Sequence, residues 1–193
     1  LASKGELIGI LNADDYYNDE TVNKVLETYE LSSKKNVVIY GDMYIEYEQT
    51  KVISIGDLSN NAFQTGKFQI NHPTVFVSKS LYDKIGLFDI NYSAAADREF
   101  LLRAHYNKVE FLKIENPLAT FSLGGFTSSY NLRLLIKKTK EEFQMLKRYY
   151  STWYAIKKSL KEFYRMLRNN FLYNIYGRNK FLNKRIRWLK KND

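Results

Sequence analysis

The chain has 193 residues, 45% of them apolar and 26% charged, with no cysteine. That length and apolar content suffice for a globular domain with a sizeable core, and the lack of cysteine excludes disulfides and thiolate metal sites, which fits a reducing compartment. The net charge of +9 is divided unevenly: residues 1–132 carry 12 Lys+Arg against 17 Asp+Glu, a net of −5, and residues 133–193 carry 18 against 4, a net of +14. An acidic body with a basic tail points to an anionic partner for the tail, a membrane surface or a nucleic acid. No run of about 18 apolar residues marks a transmembrane helix, and no signal-peptide pattern opens the chain. The first residue is Leu1 rather than methionine, so an upstream segment is expected.

In chain order, LASKGE reads as a helix end closed by Gly5. Leu7 to Leu11 is apolar on both faces, which suits a short strand in the middle of a covered parallel sheet. Asn12, Ala13, Asp14 and Asp15 then stand at its carboxyl end, the edge at which open α/β sheets bind ligands. Two adjacent carboxylates repel unless water or a cation offsets them. Either they hold a divalent metal, or they form a solvated turn in which Asp15 or Asn18 caps the next helix. That helix is expected over Glu20 to Leu31, with Val22, Val25, Leu26 and Tyr29 facing the sheet.

Asn36 to Tyr47 reads as a strand, a bend at Gly41-Asp42 and a second strand, with Val52 to Ile55 as partner of the latter. Gly56 to Ile70 is polar and without period, hence a loop, and long loops on such domains are often functional. Thr74 to Val77 is a strand, Ser80 to Ile85 a helix and Gly86 its C-cap. Pro73 biases His72 towards an extended conformation at the strand entry, where a structural and a catalytic role both remain open. Asn91 to Tyr106 is a loop feeding a helix that buries Phe100, Leu101 and Ala104. Asp97 and Glu99 fall in its first turn, as N-terminal capping requires and as a general base would also allow. Lys108 to Ile114 and Leu118 to Leu123 are two further strands, ending at Gly124-Gly125.

The succession LNADDYY, VVIYGD, INHPTVF, GLFD, AAADREFLLR and TFSLGGFTS over residues 1–130 resembles the latter part of the catalytic domain of family 2 glycosyltransferases. The resemblance implies an α/β fold: a partial GT-A mixed sheet, flanked by helices. It puts Asp14 and Asp15 in a DXD-type motif, with Asp15 the better direct ligand of Mg²⁺ or Mn²⁺ bridging the diphosphate of a nucleotide-diphosphate sugar. Asp97 matches the family's proposed base, although Ala96 stands where many members have Glu. Asn12, Asp14, His72, Arg98 and Glu99 would line the substrate pocket. A hard cation on carboxylate oxygens suits the charge that builds on a leaving phosphate. A positioned carboxylate suits removal of the acceptor proton, and a single displacement would invert the anomeric centre. The half that holds base and ribose in that family would precede Leu1, so the chain is expected to be either a fragment of a larger enzyme or a remnant, and by itself to bind UDP-sugars weakly or not at all.

Residues 131–193 form a separate, basic helical tail. Its apolar residues recur at Phe143, Leu146, Tyr150, Trp153, Ile156, Leu160, Phe163, Leu167 and Phe171, which predicts one or two amphipathic helices broken near Gly177. A last helix uses Leu182, Ile186 and Leu189. The stripe either packs on protein, including a second subunit, or lies on an anionic membrane at the inner face of the plasma membrane, in a cytoplasmic enzyme acting on a saccharide or lipid-linked acceptor. An inactive interaction module and a nucleic-acid binder are the competing classes. Nucleic acid is disfavoured because the aromatics fall on the apolar stripe rather than among the charges.

Overall fold

A computed structural model of the chain describes residues 3–32, 35–59, 61–124 and 132–191. It divides into two units, one of Leu1–Leu87, Arg103–Leu123 and Ile186–Asp193, the other of Phe88–Leu102 and Gly124–Arg185.

The first unit is built on a mixed sheet. In chain order its elements are β1 (Leu7–Gly9), β2 (Tyr16–Tyr17), α1 (Thr21–Leu31), β3 (Val37–Tyr47), β4 (Thr50–Ser54), a 3₁₀ turn (His72–Thr74), β5 (Phe76–Ser78), α2 (Lys79–Ile85) and β6 (Glu110–Ser122). The strand order is β1-β5-β3-β6-β2, with β4 also on β3, and among the described residues only the β3–β6 pair is parallel. The core gathers Val25, Val37, Ile39, Phe76, Ile114 and Leu118, against which Tyr17 and Tyr29 pack.

Several expectations are corrected here. The first strand is only Leu7–Gly9, lies at an edge of the described sheet and is antiparallel to β5, with Ile10 already exposed. Its apolar residues pack on one neighbour rather than two. Gly9 is needed for that packing, because a Cβ there would fall 2.8 Å from the Phe76 ring. Residues 3–6 contain no helical turn, and Leu1 and Ala2 lie outside the described residues. In α1, Val25 is buried while Val22 and Leu26 are exposed, so the contact with the sheet is narrower than the apolar pattern implies.

The two expected strand pairs are two long strands. Strand β3 runs on through Gly41-Asp42, with an irregular register there, and β6 runs on through Pro117. The parallel ladder runs to Gly41↔Ile114, resumes at Asp42↔Pro117 and then at Met43↔Ala119, leaving Glu115, Asn116 and Leu118 without a register partner. The irregular register, a bulge, flanks Pro117 on both sides, which accommodates a residue that has no N–H to give a ladder. Gly41 opposite the bulge is required by space, since a Cβ would lie 2.7 Å from Leu118 Cγ and 2.8 Å from the Asn116 oxygen. Asp42 in mid-strand is buried but partnered, accepting the Gly56 N–H at 2.8 Å and facing Lys113 at 3.8 Å.

His72 begins the 3₁₀ turn and the extended residue is Asn71, at φ −87 and ψ 115. The Thr74 hydroxyl, bonding the carbonyls of Asn71 and Gly41, holds that turn against the preference set by Pro73. The strand that follows is Phe76–Ser78, two residues later than expected, and Gly86 caps α2 at φ 86. Residues 56–59 and 61–70 belong to a loop closed by the Asp57↔Gln69 bridge. It carries its own aromatic cluster, Phe63 stacking on Phe68 at 4.6 Å and on His105 at 4.2 Å. Burial lowers the His105 pKa.

The second unit joins residues 88–102 to the helical tail. Its helices are α3 (Ala96–Tyr106), whose last turn belongs to the first unit, α4 (Leu132–Tyr149), α5 (Thr152–Tyr176) and α6 (Arg178–Lys191), whose end does likewise. As expected, α3 buries Phe100, Leu101 and Ala104. Helices α4 and α5 pack together and bury Met145, Leu146 and Ala155. The break at Gly177 is as expected, with φ 72 and its N–H on the Tyr173 carbonyl. A second break falls at Tyr150-Ser151, where Ser151 Oγ accepts the Tyr154 N–H and starts α5. Residues 125–128, the end of TFSLGGFTS, lie outside the described residues. Among the described residues no helix is long and apolar enough to cross a membrane.

Candidate active site

The two carboxylates after β1 are not equivalent. Asp14 is exposed, whereas Asp15 is 7% exposed. The Asp15 N–H donates to the Asn12 carbonyl at 3.2 Å, closing a turn, and the Asn12 side-chain amide donates back to Asp15 Oδ2 at 2.9 Å. The other oxygen, Oδ1, accepts the Ser122 N–H at 3.1 Å. Ser122 ends β6, so the last backbone donor of that strand pins the carboxylate. Tyr16 and Tyr17 pair with Thr120 and Ala119, fixing the loop from its other side. The Tyr17 ring sits 5.2 Å from that of Phe76, and burial raises its pKa.

Neither Asp15 nor Asn18 caps α1. The N-cap is Glu20, at φ 64 with no side-chain cap bond. Asn18 turns to β6 instead, donating to the Pro117 carbonyl at 2.9 Å and accepting from Thr120 Oγ1 at 2.7 Å. Thr21 Oγ1 donates to the Leu118 carbonyl at 2.6 Å. The carbonyls that the bulge frees are therefore taken up by the β2–α1 connection. This leaves the solvated, capping turn without its cap, with Asp15 bonded to Asn12 and Ser122 instead.

Among the described residues no group of three or more His, Asp or Glu side chains is arranged to hold a metal ion. Asp14 and Asp15 still fit a hard divalent cation by donor type. Each Asp15 oxygen accepts one N–H and keeps a lone pair, Asp14 is open to solvent, and phosphate and water oxygens complete such shells.

Asp97, Arg98 and Glu99 occupy the first turn of α3. Asp97 is partly exposed and accepts the Arg98 N–H at 2.8 Å. Arg98 pairs with Glu142 at 2.9 Å. Glu99 is fully buried, accepts from the Tyr149 hydroxyl at 2.7 Å and lies 3.6 Å from Arg148. Arg98 and Glu99 thus tie α3 to α4. His72 is half-buried in its turn, in the unit that also holds Asn12, Asp14 and Asp15.

Two supports were not foreseen. One is the Ser122 N–H, a backbone group that carries no signal in side-chain identity. The other is Glu141 of α4, whose carboxylate accepts from Ser93 N at 2.8 Å, Ser93 Oγ at 2.8 Å and Ala94 N at 2.7 Å, fixing the loop that leads into Asp97. Its signal was the adjacent pair of acids, Glu141 and Glu142, in a helix whose other charges are all basic.

Neither family models nor curated proteins give a match to this chain.

Proposed function

We propose that the chain is the latter part of a family 2, GT-A glycosyltransferase that moves a sugar from a nucleotide-diphosphate donor to a hydroxyl of a saccharide or lipid-linked acceptor. The observation that carries this reading is the buried Asp15, pinned by Asn12 and Ser122 beside the exposed Asp14 at the carboxyl end of β1. A carboxylate held in this way keeps its geometry without a reorganisation cost when a cation arrives.

Asp15, with Asp14, holds Mg²⁺ or Mn²⁺, which supplies stabilisation of charge on the diphosphate. Asp97 takes the proton from the acceptor hydroxyl. The acceptor oxygen then bonds the anomeric carbon as the bond to the diphosphate oxygen breaks, its electron pair leaving on the phosphate. One displacement inverts the centre. Glu141 and the Arg98–Glu142 pair hold the turn on which Asp97 stands.

The test is transfer by the complete gene product from a panel of nucleotide sugars, with Mg²⁺, Mn²⁺ or chelator. Asp97→Asn is expected to lower kcat by on the order of 10²–10⁴ while donor binding persists. Undiminished turnover in that variant, or turnover indifferent to chelator, overturns the assignment. By itself the chain of residues 1–193 is expected to bind UDP weakly in calorimetry. Tight, metal-dependent binding there would show that the base-binding half is not needed.

A further inference from the structure

Helix α5 presents more apolar surface to solvent than packing explains. Trp153, Ile156, Leu160, Tyr164, Leu167, Phe171 and Ile175 recur every three or four residues, and Trp153, Tyr164 and Phe171 are 75%, 68% and 64% exposed. At roughly 100° per residue they fill one sector about 100° wide. Ala155 and Ser159, the buried residues of the helix, fall in the sector turned to α4. Lys157, Lys158, Lys161, Arg165 and Arg168 fall in the remaining sector, along one border of the stripe, and Glu162 is the helix's only acid. On its other border the stripe runs into an apolar groove of about 370 Å³ between α4 and α5, lined by Ile136, Phe143, Ile156, Leu160 and Phe163.

We infer that this face seats on an anionic lipid bilayer, α5 lying in the plane of the headgroups with the groove open to acyl chains. Charge complementarity selects the occupant. Five cations along one border favour an anionic surface and disfavour an antiparallel pairing with a second copy of the same face, which would bring like charges together. Leu160 and Phe171, near the centre of the stripe, need a medium that accepts apolar volume, which a nucleic-acid backbone does not offer. Aromatics with polar edges, Trp153 and Tyr164, suit the boundary between headgroup and chain. This inference stands apart from the glycosyltransferase reading.

The full chain is tested by co-sedimentation with vesicles of phosphatidylcholine alone or with one quarter phosphatidylglycerol, at low salt and at 0.5 M salt. Binding is expected on the anionic vesicles only, with a blue shift of tryptophan emission that persists in Trp188→Phe and is lost in Trp153→Ser. Replacing Lys157, Lys161 and Arg165 with Gln is expected to lower partitioning on the order of 100-fold. Leu160→Ser with Phe171→Ser, both at exposed sites, is expected to abolish it with the circular dichroism unchanged. No binding overturns the inference, as does binding that the serine pair leaves intact. A dimer in light scattering that the serine pair dissolves assigns the face to a second copy and overturns it too.

Discussion

Glu141 offers the most exacting check on how the second unit is held. Its side chain is 5% exposed and takes three hydrogen bonds from Ser93 and Ala94. The Lys137 ammonium one turn away, at 3.9 Å and largely exposed, adds little. Hydrogen bonds to a charged acceptor contribute about 1.5–3 kcal/mol each in isolation, but Ser93 and Ala94 are exposed, so water takes over their donors when the acceptor goes. Glu141→Ala is therefore expected to cost about 2–3 kcal/mol and Glu141→Gln about 1–2 kcal/mol, since glutamine keeps one acceptor and loses the charge. The pH dependence follows from the same contacts. Burial pushes the carboxyl up, but the Ala94 N–H, the Ser93 hydroxyl and N–H and Lys137 together outweigh it, and the pKa is lowered on folding. A lowered carboxyl pKa contributes stability that is complete above the unfolded value near 4.3 and is lost as pH falls through the folded value. Urea unfolding followed by circular dichroism should show a wild-type advantage over Glu141→Gln that is constant from pH 7 to about 5 and narrows below about 4.3. Two variants within about 0.5 kcal/mol of wild type, or a gap unchanged by acid, would refute the account.

Tyr40 provides the opposite sign. Burial, with Asp57, Glu115 and Asp42 adding to it, raises its pKa to about 12, so the neutral ring stabilises the fold below the unfolded value and that stability is lost as pH rises from about 10 towards 12. Tyr40→Phe should flatten this alkaline loss in a thermal-shift series, and an unchanged slope would exclude Tyr40 as its source. Gly9→Ala would press a methyl against the buried Phe76 ring and should destabilise by about 2 kcal/mol, read as a lowered melting temperature. A variant as stable as the parent would mean that β1 gives way instead.

The sequence made most helices legible because each carries its own evidence. The period of α3, the Gly86 cap and the Gly177 break are local properties, and local reasoning finds them. What it missed was decided elsewhere in the chain. Gly41-Asp42 and Pro117 are turn residues by composition, but they face each other across a parallel pair, where one supplies the space and the other the bulge. The exposure of Val22 and Leu26 depends on how much sheet lies beneath α1, which no pattern within the helix records. At the candidate site, Asp14 and Asp15 were found by type, whereas only the fold separates the buried one from the exposed one. Asp97 was placed by its position at a helix start, and Glu141 was hidden because its partners, two backbone N–H groups and the Ser93 hydroxyl, lie 47 and 48 residues away.

The bulge in β6 also acts as a ruler. Asp15 is anchored by the main chain at Ser122, and Ser122 reaches that position only because Glu115, Asn116 and Leu118 are counted out of the ladder. Deleting one residue there would turn every later side chain of β6 to the opposite face and offer Asp15 the N–H of a different residue. Deleting Glu115 and Asn116 together would restore the facing and still move the anchor by two positions. One of the two anchors of a carboxylate near the start of the chain is thus encoded as a length, about a hundred residues later, while the other is the Asn12 side chain beside it.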